Sequence, residues 1–105
     1  MHVLGRGMTG TGRTGPTTDD GVLRAATNRV SEAGPLHLAF VFDAPDSEAA
    51  TELEGISGPG DSGGPAFLLD GSGVWLAGVS SAQDSEPTGG REGVYGVIEY
   101  YTRVS

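Results

Sequence analysis

The segment 58–67 holds the residue types that nucleophilic chemistry needs. It reads Gly-Pro-Gly-Asp-Ser-Gly-Gly-Pro-Ala-Phe, with one serine, Ser62, between an aspartate and two glycines. A serine hydroxyl is a weak nucleophile, so a site that uses one must expose it and aim it at a substrate. The neighbouring glycines permit backbone conformations that other residues adopt only with strain. The pattern therefore predicts an aimed, accessible serine in a loop that leads into a strand.

Gly60 is the residue that would complete such a site. Because it has no Cβ, it can take a positive φ, and successive backbone N–H groups can then turn in the same direction. Two such N–H groups beside a nucleophile form an oxyanion hole, which stabilises the negative charge that develops in acyl transfer. Pro65 suits the start of a strand, where no N–H donor is needed. The alternative is a Gly-rich β-turn that happens to contain a serine.

Residues 60–65 read Gly-Asp-Ser-Gly-Gly-Pro and resemble the nucleophile signature of the trypsin- and chymotrypsin-like serine endopeptidases. Gly-Arg-Gly at 5–7 resembles the strand that opens the second barrel of that family, although Arg6 replaces the usual aromatic residue. Residues 76–81 resemble the strand along the substrate cleft, and residues 101–105 resemble the strand beneath the specificity pocket. The resemblance covers nearly the whole chain but only half of the catalytic unit of the family. It implies an all-β fold, an antiparallel six-stranded barrel that forms the second half of a double β-barrel.

That resemblance also implies roles for individual residues. Ser62 is the nucleophile of an acyl-enzyme mechanism, and the N–H groups of Gly60 and Ser62 form the oxyanion hole. Asp61 pairs with a newly cut N-terminal amine in an activated enzyme. Residues 81–83 run antiparallel to the substrate backbone as an added strand. The residues that the resemblance places against substrate are Ile56, Ser57, Pro59, Ser81, Ala82, Gln83 and Glu99.

The specificity pocket has two alignments. In this family the residue six positions before the nucleophile floors the pocket, and here it is Ile56, where trypsin-type enzymes keep an acid. Alignment on Tyr101 and Thr102 places Glu99 on the pocket wall, whereas alignment on the Gly-Val-Tyr at 93–95 makes the wall residue a glycine. A buried carboxylate needs a partner, and a cationic substrate side chain is one candidate. Specificity for apolar or for mixed apolar and basic side chains therefore stays open.

The activating histidine and orienting aspartate of the family have no counterpart in this sequence. Its two histidines, His2 and His37, lack the Ala-Ala-His context, and no aspartate stands in the orienting motif. Loss of the base in a comparable enzyme lowers turnover about 2 × 10⁶-fold. We therefore expect a fragment without standalone peptidase activity, whose partners are a polypeptide substrate and a first barrel from the same gene or a separate chain. The alternative is a non-catalytic remnant that binds peptides or proteins.

Composition places these residues in one small all-β domain, 1–105. The chain has 105 residues, 36% of them apolar, and 19 glycines, which suit many turns between short strands. Leu36, Leu38, Phe40 and Phe42 alternate with less apolar residues, which predicts a half-buried strand. Strands are predicted over 1–7, 22–30, 36–43, 65–69, 74–81 and 94–104, one or two helical turns over 46–54, and loops over 8–21 and 82–93.

The net charge of −8 argues against binding to nucleic acid or to an anionic membrane surface. The chain has no cysteine, which excludes disulfides and thiolate metal sites, and we expect no metal and no cofactor. Residues 5–10 spell the dinucleotide-binding GxGxxG, but no helical pattern follows, so we interpret them as a flexible loop. The compartment is not set by the sequence; the resemblance implies an extracellular or periplasmic one.

Overall fold

A computed structural model describes residues 1–104, which form an antiparallel all-β structure with one short 3₁₀ turn, Glu86–Thr88. The all-β, antiparallel prediction is confirmed. The strands among these residues are β1 (His2–Gly5), β2 (Thr9–Thr11), β3 (Gly15–Thr18), β4 (Arg24–Thr27), β5 (Glu32–Ala33), β6 (His37–Val41), β7 (Pro65–Asp70), β8 (Gly73–Asp84) and β9 (Ile98–Arg103).

Seven of these strands form one sheet in the order β4-β1-β7-β8-β9-β6-β5, and β2 and β3 pair as a separate hairpin. Neighbouring strands are antiparallel throughout. Among residues 1–104, the two edge strands, β4 and β5, do not pair with each other. The central strands β7 and β8 are joined by a tight turn over 70–73, and β7 begins at Pro65, directly after the Ser62 loop.

The core lies on one face of this sheet. Val3, Phe40, Ala66 and Tyr101 form its central cluster, and the rings of Phe40 and Tyr101 lie 5.2 Å apart. Phe40 comes from the predicted alternating segment, in which Leu38 and Phe42 are also buried. The interpretation of Leu36 as a core residue is wrong: it is 69% exposed, because β6 begins only at His37 and Leu36 belongs to the preceding turn.

Several further segments differ from the sequence expectation: β8 continues to Asp84, inside the predicted loop 82–93, and β9 begins only at Ile98, inside the predicted strand 94–104. Residues 8–21, predicted as a loop, contain the β2–β3 hairpin, in which the N–H and hydroxyl groups of Thr11 and Thr14 bond each other across the turn. Residues 46–54, predicted as helical turns, form isolated turns instead. The carboxylate of Glu54 there accepts hydrogen bonds from the N–H groups of Thr51 and Asp43, and these bonds tie the segment to the end of β6 rather than to a helix.

The end of the β7–β8 hairpin that lies away from Ser62 is apolar and exposed. The hairpin extends beyond the neighbouring strands β1 and β9, so the side chains on both of its faces are exposed there. The exposed apolar residues of this hairpin end are Leu68, Leu69, Val74, Trp75 and Leu76.

Candidate active site

The Ser62 side chain is exposed on a tight turn that is held by backbone hydrogen bonds. The N–H of Asp61 donates to the carbonyl of Gly58 at 3.0 Å, and the N–H of Gly64 donates to the carbonyl of Asp61 at 2.9 Å. The N–H of Gly63 donates to the carbonyl of Ser80 at 3.0 Å, which fastens the turn to β8. The hydroxyl of Ser62 therefore stands on a fixed loop, with no hydrogen-bond partner among residues 1–104.

Two backbone N–H groups on this turn have no acceptor among residues 1–104. Gly60 and Gly63 have positive φ values, 94° and 84°, which a residue with a Cβ adopts only with strain. The N–H of Gly63 is bonded, but the N–H groups of Gly60 and Ser62 have no acceptor within the part of the chain that the structure describes. These are the two groups that the sequence predicted as oxyanion-hole donors. Gly60 and Ser62 are both exposed, so an acceptor from outside these residues can approach them.

The carboxylate of Asp61 holds the turn through two hydrogen bonds to backbone N–H groups. Its Oδ1 accepts a hydrogen bond from the N–H of Gly7 at 2.7 Å, and its Oδ2 accepts one from the N–H of Gly58 at 2.8 Å. The amino group of Met1 donates to the carbonyl of Asn28 instead of to Asp61. Pairing of Asp61 with a newly cut N-terminal amine stays a prediction, since in this structure both of its oxygens have backbone partners.

Sequence reasoning missed the part that Gly5 and Gly7 have in this arrangement. A Cβ on Gly5 would lie 1.9 Å from Oδ1 of Asp61, and a Cβ on Gly7 would lie 2.6 Å from the carbonyl oxygen of Pro59. The end of β1 can therefore approach the turn only because both residues lack a side chain. The Gly-Arg-Gly at 5–7 was the available signal, but sequence alone gave no reason to connect it with Asp61.

A cavity of about 220 Å³ lies beside Ser62, between the turn and β8. It brings together most of the residues that the sequence assigned to substrate binding. Ile56 is the exception, because its side chain packs against the core cluster instead of lining this cavity. Gly93, from the alternative alignment of the pocket, lines the cavity as well. The assigned residues that line it are Ser57, Pro59, Ser81, Ala82, Gln83 and Glu99.

One edge of β8 is open next to this cavity. β7 pairs with β8 only as far as Val79, whereas β9 pairs with the other edge of β8 as far as Asp84. Residues 81–83, predicted to pair with substrate, lie on the stretch that no strand among residues 1–104 covers on the β7 side. The register shifts between Ser80 and Ala82, and the bulge coincides with the point at which β8 leaves the Ser62 turn.

Glu99 lies in the wall of the cavity with no exposed surface. Its Oε1 accepts a hydrogen bond from the hydroxyl of Ser57, and its Oε2 has no partner among the described residues. Burial raises the pKa of Glu99 to about 7, and the negative charge of Asp61 raises it further, whereas the hydrogen bond from Ser57 and the nearby polar amide of Gln83 favour the charged form. A carboxyl group in this state carries a proton in a substantial fraction of molecules at neutral pH.

Neither histidine reaches this site. His2 is an exposed residue of β1, and His37 is an exposed residue of β6 whose ring lies 6.4 Å from that of Tyr100. Within residues 1–104, no histidine lines the cavity beside Ser62. This site therefore presents a hydroxyl, two amide groups without acceptors among residues 1–104, an open strand edge and a polar pocket.

Other kinds of site find little support in residues 1–104. No cluster of three or more histidine, aspartate or glutamate side chains there is arranged to hold a metal ion, and no helix there has the length and apolar character to cross a membrane. The GxGxxG at 5–10 leads into strand β2 and not into a helix. Comparison of the chain with protein-family models, curated proteins and solved structures finds no match in any of the three.

Proposed function

We propose that this chain carries the nucleophile half of a serine endopeptidase of the trypsin- and chymotrypsin-like kind. The observation that carries this proposal is the pair of free N–H groups, on Gly60 and Ser62, beside an exposed hydroxyl and a pocket. A glycine-rich turn that only changed chain direction would need neither the pocket nor the open strand edge. The coincidence of all four features around one loop favours acyl transfer to Ser62.

The proposed reaction follows from this geometry. Oγ of Ser62 attacks the carbonyl carbon of a peptide bond, and the oxygen that becomes negatively charged accepts hydrogen bonds from the N–H groups of Gly60 and Ser62. The substrate backbone pairs with the open edge of β8 at 81–83, and one side chain enters the cavity. The Ser62 proton passes through a base to the leaving amine, and water then hydrolyses the ester that remains on Ser62.

The base in this proposal comes from outside the described residues. His2 and His37 lie on β1 and β6, away from the cavity, so we propose that a first barrel supplies the histidine and its orienting acid. That barrel belongs to the same gene upstream or to a separate chain. Since removal of the base costs about 10⁶-fold in turnover, the chain alone is expected to show no peptidase activity.

The finer architecture belongs to the same proposal. We propose that the sheet closes into a six-stranded barrel, the second of a double barrel. Contacts between the β4 edge of the sheet and β6, which lies beside the other edge strand, support this. The side-chain amide of Asn28, next to β4, donates to the carbonyls of Val41 in β6 and of Gly55, both at 3.1 Å. Thr27 also forms an isolated bridge with Glu54. These contacts connect the residues around β4 with β6 and with the segment that follows it.

Phosphonylation by a fluorophosphonate tests the nucleophile directly. Free imidazole is added as a substitute base, because a diffusing base can replace a positioned one at lower efficiency. We expect label at Ser62, located by peptide mapping, at a rate that increases with imidazole concentration and vanishes in Ser62→Ala. Ser72→Ala, which removes another exposed serine at the β7–β8 turn, should leave the rate unchanged. Equal label on Ser62 and Ser72 would overturn the proposal.

A second candidate, a non-catalytic peptide-binding module, is favoured by the distance of both histidines from the cavity. It would use the open β8 edge and the cavity but not the hydroxyl. In that case a peptide would bind with the same affinity to the wild type and to Ser62→Ala, and the fluorophosphonate would not label Ser62 at any imidazole concentration.

A further inference from the structure

Oε2 of Glu99 is buried and has no hydrogen-bond partner among residues 1–104. It is the only buried side-chain oxygen or nitrogen within residues 1–104 that lacks a hydrogen bond. A buried polar atom without a partner costs free energy, and native structures keep such atoms rarely. Glu99 and Ser62 line the same cavity, so a ligand bound there would lie against Glu99.

No cation of the described chain serves as the partner of Glu99. The sequence has six arginines and no lysine, and all six arginines are exposed and absent from the cavity wall. The only ion pair within residues 1–104 joins Arg24 and Asp20, which are both remote from the cavity. The pocket therefore presents a carboxyl group with hydrogen bonds on one oxygen and no counter-charge.

The polar groups around Glu99 hold it in one position. The hydroxyl of Ser80 donates to that of Ser57 at 3.2 Å, and Ser57 in turn donates to Oε1 of Glu99. The side-chain amide of Gln83 donates to the carbonyl of Ser57 at 2.5 Å. This chain of hydrogen bonds leaves Oε2 as the one acceptor that still lacks a donor.

We propose that the cavity receives the cationic side chain of a lysine or arginine, whose charged end donates to Oε2 of Glu99. The assignment of this residue as the one on the acyl side of the cleaved bond rests on the proposed function of Ser62. This recognition needs no acid on the cavity floor. Ile56, at the position predicted for the floor, packs against the core cluster, and strand β9 supplies the carboxylate from the wall.

The surrounding charges make this recognition dependent on pH. Asp61 and the exposed Glu92, which also lines the cavity, contribute negative charge that favours a cation. The buried hydroxyl of Tyr101, whose pKa is raised to about 12 by burial and by Glu99, stays neutral in the physiological range. Glu99 with a pKa of about 7 is therefore the group that titrates there, and a cation pairs with its ionised form. Affinity for a cation should increase as pH rises through about 7.

Equilibrium binding to the full chain tests the proposal without catalysis. The probes are 4-aminobenzamidine, a cation, and 4-aminobenzamide, its neutral analogue, and binding is followed by amide NMR shifts around the cavity. We expect the amidine to bind the wild type, more tightly above pH 7 than below it, and the amide to bind much more weakly. Glu99→Gln should weaken amidine binding on the order of 10- to 100-fold, the usual effect of a hydrogen bond to a charged group. The control is Glu48→Gln: Glu48 is exposed and does not line this cavity, so the substitution removes the same charge and should change affinity little.

Equal affinity of the amidine and the amide, or an amidine affinity that Glu99→Gln does not change, would overturn the proposal. If Glu99→Gln fails to fold, a carboxyl NMR titration of wild-type Glu99 replaces it. There the amidine should lower the titration midpoint, and an unchanged midpoint would contradict the proposal. Ser62→Ala should bind the amidine normally. Amidine binding without fluorophosphonate labelling would support the cation pocket and contradict the endopeptidase proposal. Labelling of Ser62 without amidine binding would support the endopeptidase proposal and contradict the cation pocket.

Discussion

Asp61 and Glu99 are acidic residues in neighbouring regions of the molecule, one behind the Ser62 turn and the other in the cavity wall. Both oxygens of Asp61 accept backbone N–H groups, from Gly7 and Gly58, in a space that two glycines keep open. Glu99 has one bonded and one unbonded oxygen, and no arginine of residues 1–104 lines its cavity. Both oxygens of Asp61 are satisfied within residues 1–104, whereas one oxygen of Glu99 has no donor there.

The two carboxyl groups differ in what their hydrogen bonding suits them for: that of Asp61 for holding its own loop, and that of Glu99 for binding a ligand. A carboxylate with full hydrogen bonding stabilises its own loop, and its removal leaves two amides without partners. A carboxyl group with a missing partner lowers the stability of the free protein but leaves interaction energy for a ligand. Ser62 stands between these two regions, on the turn that Asp61 holds and at the cavity that Glu99 lines.

The largest expected effect is that of Asp61→Ala. It removes two charge-assisted hydrogen bonds, so we expect the free energy of unfolding to fall by about 2–5 kcal/mol. Asp61→Asn, which keeps one acceptor oxygen, should lose roughly half as much. Urea denaturation measures both, with Asp46→Ala as the control because Asp46 is exposed. A loss no greater than that of Asp46→Ala would mean that the Asp61 region contributes little support.

The second prediction concerns the pH dependence of stability at Glu99. Its pKa is about 7 in the folded protein and near the ordinary 4.5 when unfolded, so the folded state favours the protonated form. Its contribution to stability is therefore complete below pH 4.5 and is lost as pH rises to about 7, an effect of about 3 kcal/mol. Gln does not titrate, so the stability of Glu99→Gln relative to the wild type should increase by that amount over the same pH range. Urea denaturation at each pH checks this. A constant difference across these pH values would show that Glu99 titrates normally.

Local chemistry allowed much of this structure to be predicted from the sequence. Residues 60–65 combine glycines with a proline at a strand start, and the structure has positive φ values at Gly60 and Gly63 and a strand from Pro65. The Asp-Gly-Ser-Gly at 70–73 is a hairpin turn for similar reasons. Such features depend on a few adjacent residues, whose backbone preferences the sequence states directly.

The remainder depends on contacts between distant residues. The bond between Gly7 and Asp61 spans 54 positions, and neither residue has a local pattern that indicates the other. The same holds for residues 46–54, where hydrogen bonds to Glu54 replace the expected helical turns. Glu99 was placed at the pocket by alignment, but its unbonded oxygen follows from the packing of β9 against Ser57, which no sequence period encodes.

The smallest expected effect distinguishes a free N–H on the Ser62 turn from a bonded one. Gly60→Ala and Gly63→Ala both force a Cβ onto a residue with positive φ, so each should lower the free energy of unfolding by about 1–2 kcal/mol. Only Gly60 has a free N–H, because that of Gly63 is bonded to Ser80. Relief of strain by rotation at position 60 would turn this donor away from Ser62. Imidazole-assisted fluorophosphonate labelling should therefore be slowed more by Gly60→Ala than by Gly63→Ala. Equal labelling rates in the two variants, measured where both are fully folded, would mean that the N–H of Gly60 is not an oxyanion-hole donor. Asp61 would then support an ordinary turn.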